Sequence, residues 1–117
     1  VIIGRSNIVG KPLIQMFLNE NSTVTVCHSK TNNLKEITKC ADILVVAIGK
    51  PKFIDNSYVK EDAIVIDVGT SNVDGQITGD VDFDKVVSKA SMISKVPGGV
   101  GALTTVLLFK NLCEGLK

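Results

Sequence analysis

The apolar positions of this chain fall in short blocks, and the blocks switch repeatedly between continuous runs and helical spacing. Residues 1–3 are a continuous apolar run that reads as a buried strand and stops at Gly4; Leu13, Ile14, Phe17 and Leu18 then share one face of a helix. Residues 23–27 are rich in β-branched side chains and predict a second strand. A polar loop, 28–33, leads into a short helix over 34–40, with Asn33 or Thr31 as its cap. Residues 43–48 are apolar throughout, which places this third strand centrally in a parallel sheet, closed by Gly49-Lys50-Pro51. Residues 54–58 form a short helical or irregular piece, and 63–69 a fourth strand with a glycine exit. Asp74-Gly75 marks a hairpin turn within 72–79. A helix over 83–90 turns Val86 and Val87 inward, and 92–94 is a fifth, short strand. After a loop at 97–101, the last helix runs from Ala102 to about Leu116 with a broad apolar stripe that includes Leu103, Val106, Leu107 and Cys113.

Strands alternating with helices from end to end predict an α/β domain with a Rossmann-like, doubly wound parallel sheet. Ligands of such sheets collect outside the carboxyl ends of the strands. Those ends carry Gly4-Arg5-Ser6, His28-Ser29, Gly49-Lys50, Gly69-Thr70 and residues 97–101, a rim rich in glycine, hydroxyl and cation. The first of these turns aims a helix N-terminus, with its free N–H groups, at whatever sits above the strand, which makes an anion site. Gly4 permits the tight turn and Gly10 the close approach of helix to sheet. Neither common phosphate motif fits: Lys11 is followed by Pro12 where a P-loop needs a hydroxyl, and Ser6 stands where G-x-G-x-x-G needs its second glycine.

Arg5 reads as a phosphate fork or as a solvated arginine, and Ser29 as a ribose contact or as a helix-entry hydroxyl. His28, the only histidine, has no visible nucleophile beside it and reads as a partly exposed loop residue. Asp67 reads as structural, satisfying loop N–H groups. Asp80, Asp82 and Asp84 lack the glycine and glutamate of a calcium loop and read as an acidic helix entry, so no metal site is assigned.

At 117 residues the chain is one domain. Its net charge of +1, with no basic stripe, argues against nucleic acid or an anionic membrane as partner. The longest apolar run is far too short to span a bilayer, and no secretory signal pattern is present. Three widely spaced cysteines favour a reducing compartment over a disulfide framework. The chain opens inside a strand, without methionine, and is read as the C-terminal part of a longer protein.

Six stretches carry a family resemblance: G-R-S-N-I-V-G-K-P from Gly4, V-C-H-S-K-T from Val26, A-D-I from Ala41, V-I-D-V-G from Val65, G-D-V-D-F from Gly79 and V-P-G-G-V-G from Val96. In these the chain resembles the C-terminal NAD(P)-binding domain of methylenetetrahydrofolate dehydrogenase/methenyltetrahydrofolate cyclohydrolase. The resemblance implies a Rossmann-type domain holding NADP through Gly4, Arg5, Ser6 and Ser29, with Thr70 meeting the nicotinamide end through its backbone. It places Pro97, Gly98, Gly99, Val100, Gly101 and Thr104 beside the folate. It implies an enzyme that passes a hydride from 5,10-methylenetetrahydrofolate to NADP and hydrolyses the methenyl product to 10-formyltetrahydrofolate. The family's folate-site tyrosine and lysine lie in an N-terminal domain, so no catalytic side chain carries over and this chain alone is expected to be inactive. A homodimer is the expected assembly, and the cytoplasm the expected compartment, with the mitochondrion as the alternative. Two departures stand out: Thr70-Ser71 where the family has isoleucine-asparagine, and Ala102-Leu103 where it has proline-methionine. A non-catalytic dinucleotide-sensing module is the rival reading. The choice of NADP over NAD also has a local reason. No acid lies between Ser22 and Lys35, where an NAD-binding domain places its ribose-reading carboxylate, and Arg5, Ser29 and Lys30 suit a 2′-phosphate instead.

Overall fold

The computed structural model describes residues 1–116. In chain order the elements are β1 (Ile2–Ile3), α1 (Gly10–Asn19), β2 (Val26–Cys27), α2 (Leu34–Thr38), β3 (Ile43–Val46), a 3₁₀ turn (Asn56–Tyr58), β4 (Ile64–Asp67), β5 (Ser71–Val73), β6 (Gln76–Thr78), α3 (Phe83–Val86), β7 (Met92–Ile93) and α4 (Val100–Gly115). Five strands form one parallel sheet in the order β2-β1-β3-β4-β7. The doubly wound α/β architecture is therefore as expected, with β3 in the middle.

Strand order reverses at β1, which has β2 on one side and β3 on the other. That is the switch point at which open α/β sheets form their ligand crevice. β5 and β6 make a separate antiparallel hairpin. Positive φ at both Asp74 (51°) and Gly75 (81°) gives the turn whose twist suits a two-residue hairpin.

The core lies on one face of the sheet. Ile3, Cys27, Leu44, Val46 and Val65 meet Ile54, Val59 and Val86, with Leu34 and Ile37 of α2 packed against them. Alternation along the strands sends Ile2, Val45, Ile64, Ile66 and Met92 to the other face. There α1 packs on β1, while Met92 is 61% exposed. No residue of α4 is buried, and Leu103, Val106, Leu107, Leu108, Phe109 and Leu112 all face outward. The projecting helix explains a radius of gyration of 14.7 Å, against about 13 Å for a compact chain of this length.

Several boundaries depart from expectation. The ladder of β2 holds only Val26–Cys27, because it pairs with a two-residue β1. Leu18, expected inward, is 47% exposed: a ten-residue helix is about 15 Å long and its two-residue strand about 7 Å, so the last turn overhangs the sheet. Of the two expected candidates, Asn33 is the cap residue of α2, though it caps through its backbone alone. Asn33 occupies the cap position in a left-handed conformation without a side-chain bond, and the Thr31 hydroxyl is taken by His28. α3 is a single turn, so Val86 is buried while Val87, the next residue round, faces solvent. α4 begins at Val100, which moves Val100 and Gly101 from the expected loop into its first turn. Among the described residues no helix is long and apolar enough to cross a membrane.

Candidate functional site

Because the sheet is parallel, its glycine-bearing exits share one edge. A cleft of about 480 Å³ opens there, lined by the exits of β1 (Gly4, Arg5), β2 (His28, Ser29, Thr31) and β3 (Ala47, Ile48, Lys50), with Leu34, Phe53 and Tyr58 closing the side. Its floor depends on two glycines. Gly4 has φ +123°, and a Cβ there would overlap the Ala47 carbonyl. A Cβ on Gly10 would overlap the Gly4 carbonyl, so helix α1 starts directly against the end of β1.

Ser6 organises the turn between them. Its Oγ accepts from the N–H groups of Val9 (3.2 Å) and Gly10 (3.3 Å), and its carbonyl accepts from Lys11 N–H (3.0 Å). A hydroxyl accepting twice still has its proton to donate. Ser6 thus supports the helix entry and retains one donor for an anion.

The 28–31 loop is held by its own bonds. His28 N–H donates to Thr31 Oγ1 (2.9 Å), Thr31 N–H to the His28 carbonyl (2.9 Å), and Lys30 N–H to His28 Nδ1 (3.2 Å). With Nδ1 accepting, the proton of the neutral ring sits on Nε2. His28 is the partly exposed loop residue expected, and its ring nitrogen also braces the loop. The turn sets Ser29 and Lys30 at the exposed rim beside the cleft.

Cations line this cleft and carboxylates do not: Arg5 and Lys50 are present, with no Asp or Glu among the lining side chains. Phe53 and Tyr58 form a tilted aromatic pair, ring centroids 5.6 Å apart, with Lys50 Nζ 5.3 Å above the Phe53 ring and Lys35 Nζ 4.8 Å above Tyr58. The arrangement suits a phosphorylated ligand with a flat, apolar end. Lys50 lines the cleft, as its place among the strand exits led one to expect, whereas Phe53 and Tyr58 were not expected there. The apolar-aromatic spacing after Pro51 was the available signal.

Two buried aspartates brace the remaining exits. Asp67 accepts from the N–H groups of Gly69 (2.9 Å), Asp80 (3.1 Å) and Val81 (2.9 Å), the structural role expected of it. Burial pushes its carboxyl above the ordinary range, and those bonds pull it partly back. Residues 79–82 run as a strap beside 52–54 through Lys52 N–H to Gly79 O (3.0 Å), Ile54 N–H to Asp80 O (3.0 Å) and Asp82 N–H to Ile54 O (2.8 Å). Asp80 is therefore no part of an exposed acidic turn: its carboxylate points to the exit of β3. Asp82 sits at the entry to α3 and pairs with Lys85 at 2.8 Å.

The residues expected at the nicotinamide end and beside the folate lie apart from the cleft. Thr70 is exposed at the exit of β4. Pro97 follows a cis peptide and borders a separate hollow of about 310 Å³ with Asp67, Gly79 and Ser94. Gly98 has φ +94°, and a Cβ on Gly99 would overlap the Lys95 carbonyl. Val100 and Gly101 open α4, and Thr104 Oγ1 donates to the Val100 carbonyl (3.1 Å). None of Thr70, Pro97, Gly98, Gly99, Val100, Gly101 and Thr104 lines the cleft. A further hollow of about 660 Å³ lies at the opposite edge of the sheet around Val1, Phe17, Ile37 and Cys40, away from the glycine exits.

Comparison with known proteins gives a consistent picture. A family profile described as "Tetrahydrofolate dehydrogenase/cyclohydrolase, NAD(P)-binding domain" matches residues 1–117. The chain is 73% identical over 117 residues to the bifunctional protein FolD of Clostridium botulinum (strain Alaska E43 / Type E3), covering 100% of this chain and 42% of the relative. It is 75% identical over 116 residues to the protein of the same name from Clostridium perfringens (strain SM101 / Type A), covering 99% of this chain and 42% of the relative. It superposes with a TM-score of 0.91 and 49% identity on the bifunctional FolD methylenetetrahydrofolate dehydrogenase/cyclohydrolase of Campylobacter jejuni, covering 94% of this chain and 39% of that one. The Trypanosoma brucei enzyme, solved with NADP cofactor and inhibitor, gives a TM-score of 0.86 at 41% identity, covering 94% of this chain and 40% of that one. The chain spans about two-fifths of the length of the curated relatives it matches, 42% in each case quoted.

Proposed function

The chain belongs to the NAD(P)-binding domain family of tetrahydrofolate dehydrogenase/cyclohydrolases, and from that premise we propose that residues 1–117 are the cofactor-binding domain of a two-domain folate enzyme that uses NADP. The observation that carries the proposal is the cleft at the switch point: a glycine floor without room for Cβ atoms, a helix entry above it, Arg5 and Lys50 on its walls and no lining carboxylate. These residues fit an anionic dinucleotide. Ser6 and the start of α1 face a pyrophosphate, Arg5 and Ser29 a 2′-phosphate, and Phe53 and Tyr58 supply an apolar wall for a base. Bound NADP supplies the hydride acceptor. The residues of this chain hold it and orient it towards the folate's one-carbon group.

The full-length enzyme would then oxidise 5,10-methylenetetrahydrofolate to the methenyl compound, reducing NADP, and add water to give 10-formyltetrahydrofolate. The groups that act on folate belong to the part of the protein outside this chain. Two features support that division: the chain covers 42% of its relatives, and α4 presents an apolar length that no described residue covers. We assign the cover of α4 to the remainder of the same protein. Thr70 stays with the nicotinamide end of the cofactor, and Pro97, Gly98, Gly99, Val100, Gly101 and Thr104 are the folate-facing set, completed by that remainder. A homodimer is part of the proposal.

The relatives quoted at above 70% identity are Clostridium proteins. They lend no support to the mitochondrial alternative, and we assign the cytoplasm. They are named as bifunctional proteins, which favours an enzyme over a dinucleotide sensor. The test is an assay of the full-length protein with 5,10-methylenetetrahydrofolate and NADP. Growth of NADPH and methenyl absorbance together supports the proposal, and binding of NADP without turnover supports the sensor.

A further inference from the structure

We infer that Asp80 is a positioning residue for the cofactor step, one that ties the cleft wall at the exit of β3 to the exit of β4 that carries Thr70. The inference rests on the NADP reading above and deepens it. Asp80 Oδ2 accepts from the N–H groups of Ile48 (2.7 Å) and Gly49 (2.9 Å). Ile48 and the adjoining Lys50 line the cleft, and Gly49 turns between them with φ +68°. The same carboxylate fills the space that a Cβ on Gly69 would take, one residue before Thr70. One side chain is therefore hydrogen-bonded to one strand exit and packed on the next.

Asp80 is 0% exposed, and its Oδ1 has no hydrogen-bond partner. A buried carboxylate with one oxygen unmatched works against stability. Capping two N–H groups needs only one oxygen, and an amide would supply it without burying a charge. What the carboxylate does contribute is placement, because its two neighbours belong to different walls of the proposed site. Asp67 holds the strap in register by accepting from Asp80 N–H and Val81 N–H. Removal of the Asp80 side chain frees Ile48-Gly49-Lys50 from the Gly69-Thr70 exit. That loosens the dinucleotide's seat while leaving the water-adding half-reaction, which needs no dinucleotide, in place.

The experiment compares full-length wild type with Asp80→Ala, Asp80→Asn and Gly69→Ala, each first checked for folding by circular dichroism. Both half-reactions and NADP binding by calorimetry are then measured. Asp80→Ala is expected to raise KM and Kd for NADP by about tenfold or more, the scale of two lost hydrogen bonds, with cyclohydrolase activity little changed. Asp80→Asn, which keeps one oxygen for both N–H groups, should restore near-normal NADP binding. Gly69→Ala, which displaces the carboxylate without removing it, should reproduce the Asp80→Ala pattern, and it decides the question if Asp80→Ala fails to fold. Unaltered NADP affinity in a folded variant, or a parallel fall of both activities, overturns the inference. Failure of the wild type itself to bind NADP would instead reject the functional reading on which the inference rests.

Discussion

Gly4 lies directly against the carbonyl oxygen of Ala47, so that the exits of β1 and β3 meet with no space for a Cβ between them. The contact forms the floor of the cleft, and it makes two demands on the residue. Its φ of +123° strains any L side chain, and the Ala47 carbonyl blocks a methyl group. Gly4→Ala is expected to cost about 2–4 kcal/mol of unfolding free energy in urea titration and to weaken cofactor binding. Gly75 also has positive φ (81°), but in open space. Gly75→Ala should cost only about 1 kcal/mol and leave cofactor binding alone. Equal effects at the two positions would show that crowding at Ala47 is irrelevant.

Asp67 gives a pH prediction whose sign is set by burial. Its folded pKa is raised, chiefly by desolvation, with the nearby Asp80 charge acting in the same direction against three N–H bonds. The folded state therefore binds the proton more tightly than the unfolded one. The stabilisation this supplies is fully present below the unfolded value, about 3.9, and is lost as pH rises through the folded pKa. Urea midpoints of wild type and Asp67→Asn, measured between acid and neutral pH, isolate the effect. Wild type should lose ground to the variant as pH rises through this window. A wild-type advantage that grows with pH would mean that the N–H bonds outweigh burial.

On the proposed division, α4 is free-standing in the isolated chain and covered in the full-length protein. Leu107 and Phe109 are 50% and 62% exposed here. A run of exposed apolar side chains drives association. The isolated domain is expected to self-associate in sedimentation, and Leu107→Glu with Phe109→Lys should make it monodisperse. In the full-length protein the same pair should lower thermal stability if, as proposed, the remainder of the protein covers α4. A full-length protein indifferent to both changes would place α4 in solvent.

Much of the fold is legible in the chain because local rules decide it. Apolar runs bounded by glycines give the parallel strands, and the Asp74-Gly75 pair gives the hairpin. The roles of Gly4 and Gly10 also follow from the sequence, since a strand that turns at once into a helix leaves no space for side chains. Asp80 was not legible. Its bonds to Ile48 and Gly49 span 32 and 31 residues and exist only because the β5–β6 hairpin returns the chain to the exit of β3. Phe53 and Tyr58 join the cleft for a similar reason, since the strap beside 52–54 holds that loop against the rim. Gly99 was expected beside the folate, and only the structure shows that the Lys95 carbonyl crowds the place its Cβ would take. The stripe on α4 was visible as a pattern, yet its partner is not among the described residues.

The central claim is that this domain selects NADP through the corner formed by Arg5 and Ser29, and calorimetric titration of the full-length protein with NADP and NAD tests it most directly. A charge-assisted hydrogen bond contributes about 1.5–3 kcal/mol, which corresponds to roughly tenfold to a hundredfold in affinity. Wild type should bind NADP more tightly than NAD by that factor, and Arg5→Ala should remove most of the preference while changing NAD binding little. Equal affinity for the two cofactors in the wild type, or an equal loss for both in Arg5→Ala, would contradict the claim.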